Sequence, residues 1–127
     1  MASSLKVLVF IIGGLFFLIG LAGMFAPEDF VRGMGLSLES AEGAGTVRAM
    51  IGAHYVAMGG VCFFAVIRKM PVLLLPIAAI ETVMVVARGL AALNGEFGVS
   101  TVMPTSIEVV AAIILATAAI KLADSNG

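Results

Sequence analysis

Tryptophan is absent from this chain, and cysteine, histidine and tyrosine occur once each, as Cys62, His54 and Tyr55. A single cysteine excludes an intrachain disulfide and any multi-cysteine metal site. Lying in an apolar run, Cys62 reads as a small packing residue. A single histidine cannot make a two-histidine haem site within a chain. No paired-histidine metal signature, phosphate loop or nucleophile elbow occurs, so neither a metal nor a cofactor is expected. Charge is scarce as well: 12% of residues are Asp, Glu, Lys or Arg, against roughly 25% in soluble domains. The net charge of −1 leaves no basic footprint for nucleic acid. With one tyrosine and no tryptophan, the interfacial aromatic belt is weak and supports neither membrane orientation.

What the chain has is apolar sequence. Of its 127 residues 61% are hydrophobic, and runs near 20 residues place it in the membrane class. A single all-α domain over residues 1–127 is expected, an integral membrane four-helix bundle with spans at about 5–26, 46–67, 71–93 and 105–122. Each span must be a helix, because lipid offers the backbone no hydrogen-bond partners. The N-terminus imitates a signal peptide, with Lys6 before an apolar stretch. That stretch, about 20 residues from Val7 to Ala26, is long for an h-region, and Met24 spoils a small-x-small cleavage site. It reads as a retained transmembrane helix.

The connections differ in kind. Arg68-Lys69-Met70 predicts a tight turn and an antiparallel hairpin of spans two and three. Asn94-Gly95 ends the third span, and Pro104 is expected to close the following loop. The longest connection, Pro27 to Gly45, opens with Pro27, Glu28 and Asp29, which suit a helix N-terminus. Phe30, Val31 and Met34 would form its apolar side, so a short helix on the membrane surface is expected. Lys6, Arg68, Lys69 and Lys121 share the side that holds both termini. Arg32 with Glu28, Asp29, Glu39, Glu42 and Glu96 occupies the other. Since basic residues accumulate inside, both termini should be cytoplasmic.

Five ionisable side chains lie in or at the ends of these spans: Arg48, His54, Glu81, Arg88 and Glu108. In hydrocarbon each is costly and needs a partner, a cavity or a helix end. In α geometry Gly52, Tyr55, Gly59 and Cys62 all fall within ~40° of Arg48, a small and polar face suited to the bundle interior. His54 falls ~120° from Arg48 and is expected at another helix or another subunit. Arg48, Arg88 and Glu108 can meet in the outer leaflet half. Glu81 lies near mid-membrane, with Tyr55 as its preferred partner.

Each of these has a structural reading beside the functional one. Thr105-x-x-Glu108 is a capping box, which a salt bridge would not exclude. Arg48 and Arg88 can snorkel to headgroups, bind a structural carboxylate or hold a ligand. His54 is more often a packed, hydrogen-bonded side chain than a ligand to haem or metal. Glu81 has the weakest structural excuse and is a candidate for proton relay or ligand contact. Gly13 and Gly20, a heptad apart, read as packing positions.

The Gly- and Phe-rich first span, the Pro27 loop, the Thr46-Val47-Arg48 entry before Gly52 and Gly59-Gly60, Arg68, Arg88-Gly89 and Glu108 form a combined pattern. It resembles the bacterial domain-of-unknown-function 4345 family of small four-helix membrane proteins, similar in architecture to the DoxX-like set. The resemblance covers nearly the whole chain. It implies the four-helix fold, a bacterial inner-membrane location and Arg48, Arg88 and Glu108 as the family-like polar positions. It implies no activity, and Glu81 and His54 lie outside its pattern.

Three functions are compatible with these residues. The first is a non-catalytic structural or accessory component of unknown activity, packed in the bilayer as a homo-oligomer or within a larger membrane complex. The second is a carrier, channel or binder for a small anionic molecule or lipid, built on Arg48, Arg88 and Glu108 with Glu81 deeper. Four helices are thin for a pore, so transport would call for an oligomer. The third is a membrane-embedded enzyme with Glu81 and His54 as acid and base, which must then reach one substrate atom.

Overall fold

The computed structural model describes residues 2–124. Met1 and residues 125–127, the ends of the expected domain, lie outside the described residues. All regular structure among the described residues is helical. The elements are α1 (Ala2–Phe25), a short α2 (Pro27–Gly33), α3 (Ala41–Val47), a π-helical segment (Arg48–Gly52), α4 (Ala53–Ile67), a 3₁₀ turn (Pro71–Leu73), α5 (Leu74–Leu93) and α6 (Val99–Asp124). Among the described residues four helical stretches are long and apolar enough to cross a membrane: Ala2–Phe25, Ala41–Ile67, Pro71–Leu93 and Val99–Asp124.

The third stretch has the expected bounds, and the second and fourth begin earlier. The second starts at Ala41 because the Ser40 side chain accepts a hydrogen bond from the Gly43 N–H at 3.0 Å, a helix N-cap. The fourth starts at Val99. There Thr101 Oγ1 accepts from the Gly98 N–H at 3.0 Å and donates to the Gly98 carbonyl at 2.6 Å. Pro104 lies inside α6 rather than closing the loop before it. Its missing N–H costs the helix one bond, to the Ser100 carbonyl.

Three helices end the same way, with a C-terminal residue in the left-handed conformation. Gly35 (φ 76°) follows α2, Lys69 (φ 56°) follows α4 and Gly95 (φ 75°) follows α5. After α4, Met70 N–H donates to the Ala65 carbonyl at 2.8 Å and Lys69 N–H to the Val66 carbonyl at 3.3 Å, the Schellman pattern. This turn reverses the chain within Arg68–Met70, as the sequence predicts.

The two helices it joins nevertheless pack mainly elsewhere. α1 lies along α4, and α5 lies along α6, while α4 and α5 touch little. Glycine explains the first pairing. A Cβ at Gly20 would sit 2.5 Å from the Val56 backbone nitrogen, and one at Gly59 would sit 2.5 Å from the Gly13 carbonyl oxygen. Backbones this close leave room for hydrogen only, and that closeness supplies the dispersion contact that holds helices together in lipid.

The two pairs meet tightly in the half that holds the chain termini. Val9, Ile12 and Phe16 of α1, Met58, Cys62 and Ala65 of α4, Leu74, Ile77 and Ala78 of α5, and Ala111, Leu115 and Ala118 of α6 are buried in one core. Lys6, Lys69 and Leu122 border a small crevice at that end. In the opposite half the pairs separate.

Candidate functional site

The separation leaves a cleft of about 660 Å³, open along one side, where Met50 and Met103 are each 72% exposed; its volume is within the roughly 300–1,000 Å³ typical of small-molecule sites. Met50, Ile51, His54 and Tyr55 line it from the π segment and the start of α4. Met84 and Arg88 line it from α5, and Met103, Pro104, Ile107 and Glu108 from α6. Phe30 and Met34, in and just after α2, border its outer end, and Asp29 and Ser100 contribute polar atoms there. Four of the eight methionines of the chain thus face one space: Met34, Met50, Met84 and Met103. Methionine side chains are flexible and polarizable, and surfaces rich in them adapt to differently shaped apolar partners.

The polar centre of this wall is an ion pair. Arg88 Nε donates to Glu108 Oε2 at 3.2 Å and Arg88 Nη2 donates to Glu108 Oε1 at 3.1 Å. The fork is bidentate, so it fixes the orientation of α5 against α6 as well as their distance. Glu108 is 3% exposed at its side chain and Arg88 26%, so the guanidinium is the partner with a free edge.

Glu108 does not cap its helix. With α6 starting at Val99, Glu108 is nine residues, ~14 Å, beyond the start of the helix. Thr105, the N-cap residue of the expected capping box, instead lies inside α6 and donates its hydroxyl to the Thr101 carbonyl at 2.7 Å.

Arg48 does not join Arg88 and Glu108. Its guanidinium donates to the Met24 carbonyl, in the last turn of α1, where carbonyls lack intrahelical partners and cations are favoured. The cause is the π segment. The Ala53 N–H bonds to the Arg48 carbonyl, an i→i+5 turn that inserts one residue relative to α geometry, about 100° of rotation. Gly52, Gly59 and Cys62 remain buried, whereas Arg48 is turned out to an exposed position.

His54 lines the same cavity as Arg88 and Glu108, not a separate contact. Tyr55 packs edge-on against Phe16 at 5.6 Å between ring centres, and lies within electrostatic reach of Glu81, Glu108 and Arg88. It is not the hydrogen-bond partner of Glu81: both carboxylate oxygens of Glu81 are buried without one among the described residues. Glu81 is also absent from the cavity wall that His54 lines, so these two groups do not face one shared space. Among the described residues no three His, Cys, Asp or Glu side chains group closely enough to hold a metal ion.

What the arrangement can do is hold a molecule with an apolar body and one hydrogen-bonding end. Methionine, isoleucine and phenylalanine supply the apolar walls. Arg88, His54 and Tyr55 supply donors and acceptors in the wall, and Ser100 adds a hydroxyl at the outer end, ~12 Å along α6 from Glu108. Reading the sequence missed the methionines, whose only signal was their number. It also missed the π turn, which no residue pattern announces. No protein-family model, curated protein or solved structure matches this chain.

Proposed function

We propose that the chain is a multi-pass protein of the bacterial inner membrane that binds a small neutral amphiphile between its two helix pairs. The observation that carries this reading is the methionine-lined cavity with Arg88 and Glu108 in its wall. Its charge balance selects the head group. With Arg48 engaged at α1, and Asp29 at the outer end paired with Arg32 at 3.1 Å, the wall keeps one guanidinium against one buried carboxylate. The anionic ligand expected from two arginines thus loses its excess positive charge, and a hydroxyl or carbonyl head suits the free edge of Arg88 better.

The distribution of Lys6, Arg68, Lys69 and Lys121 supports cytoplasmic termini, which puts the cavity in the outer leaflet half and α2 at the outer interface. The bacterial inner-membrane location is what the resemblance to the domain-of-unknown-function 4345 family implies, and it belongs to the same proposal. A purely structural component, alone or in a larger complex, finds no comparable feature: the exposed apolar faces are what lipid contact requires and select no partner. The enzyme reading lacks a shared space for His54 and Glu81.

A photoreactive long-chain alcohol tests the proposal in vesicles containing the purified protein. Labelling is expected to saturate, to map to Met84, Met103 or Tyr55, and to fall at least tenfold in Met84→Trp. Labelling that never saturates and spreads over the outward faces of α1 and α6 would contradict it.

A further inference from the structure

Glu81 is fully buried, and neither of its carboxylate oxygens has a hydrogen-bond partner among the described residues. It stands at the seam between the two halves of the molecule. Ile77 and Ala78, a turn before it on α5, belong to the closed core. Met84 and Arg88, on its own helical face one and two turns later, line the cavity. Glu81 therefore lies one turn beneath the cavity floor.

The groups around it are few. Tyr55 and Cys62 approach from α4, Glu108 from α6, and Arg88 shares its helix. α1 brings no ionisable group to this level, its one lysine, Lys6, being at the opposite end. Arg88 is committed to Glu108. A carboxylate at this position would have no donor and no uncommitted cation, a state that burial strongly disfavours. A neutral carboxylic acid leaves its O–H and carbonyl unpartnered too, but it needs no cation and loses far less on burial than the charged form.

We propose that Glu81 is a proton-binding site beneath the cavity, occupied in the resting protein and exchanging its proton through the cavity past Met84 and Tyr55. When the proton leaves, Arg88 is the cation on the same face, ~10 Å along the helix. The new carboxylate then competes with Glu108 for it. Proton release thus loosens the α5–α6 tie in the cavity wall, and a molecule that braces this wall favours the protonated state. The proposal rests on the cavity as a route and not on the amphiphile it holds. A protein that shows the proton site but binds no alcohol probe keeps this inference and loses the preceding one.

The test uses the full chain in lipid vesicles and dicyclohexylcarbodiimide, an apolar reagent for protonated carboxyls. The acid proton goes to a carbodiimide nitrogen and the carboxylate oxygen bonds to the central carbon. Migration of the acyl group to nitrogen then leaves a stable adduct with no atom lost. Peptide mass spectrometry is expected to find the adduct on Glu81, formed at least tenfold faster than on Glu108 and more slowly as pH rises. In a second measurement, the infrared carbonyl stretch that disappears in Glu81→Gln reports the acid directly. Its shift in deuterated buffer should be at least fivefold slower in Met84→Trp, which fills the route. Preferential modification of Glu108, absence of an acid band assignable to Glu81, or deuterium exchange unchanged by Met84→Trp would each overturn the proposal.

Discussion

A guanidinium held by two parallel bonds to a carboxylate 97% shielded from solvent leaves that carboxylate stranded if it is removed. Arg88→Ala should therefore destabilise the folded protein by about 3 kcal/mol. Replacing both partners together, Arg88→Met with Glu108→Leu, should recover most of the loss, because two matched apolar side chains leave nothing unpaired. Reversible unfolding in mixed micelles measures both. Equal losses in the single and double variants would mean that the pair matters for packing and not for charge. The importance of Arg88 and Glu108 was legible in the sequence, since an ionisable residue in an apolar run demands a partner. The place of Arg48 was not. A π turn of five residues rotates it off the face that α periodicity assigns, and it ends as a cap on α1.

At the scale of elements, the pairing of α1 with α4 depends on glycines that admit no methyl group. Gly59→Ala and Gly20→Ala each push a Cβ to 2.5 Å from backbone atoms of the facing helix and should cost roughly 1–3 kcal/mol. Gly60→Ala is the control. A Cβ there meets nothing within 4 Å, so the change should stabilise by about 0.5–1 kcal/mol through helix propensity alone. If all three variants behave alike in the same unfolding assay, close backbone approach is not what joins the helices. The turn after α4 makes a separate prediction. Lys69 sits at φ 56°, a conformation that costs a non-glycine residue roughly 1–2 kcal/mol. Lys69→Gly should accordingly raise the midpoint of thermal unfolding, and a lowered midpoint would contradict the Schellman reading.

For the molecule as a whole, apolar run length was enough to read four spans, since lipid leaves the backbone no alternative to helix. The ends of α3 and α6 were hidden by glycines and a proline that side-chain caps at Ser40 and Thr101 override. The pairing of helices was hidden for another reason. Short loops make sequence neighbours look like spatial ones, yet α4 leaves α5 for the glycine face of α1. Sidedness makes its own prediction. The native thiol, Cys62, is fully buried, so introduced cysteines report with little background. In intact cells an impermeant maleimide should label Glu39→Cys and spare Lys69→Cys; the reverse pattern would invert the proposed orientation.

The central claim is that the two helix pairs part in the half opposite the termini to hold a neutral amphiphile. An experimental structure of the protein crystallised from a lipid mesophase tests it most directly. The account predicts elongated density among Met50, Met84 and Met103, with its polar end beside Arg88 and the Arg88–Glu108 fork intact. A structure in which α4 closes against α5 along its whole length, leaving no space between Tyr55 and Met103, would contradict it.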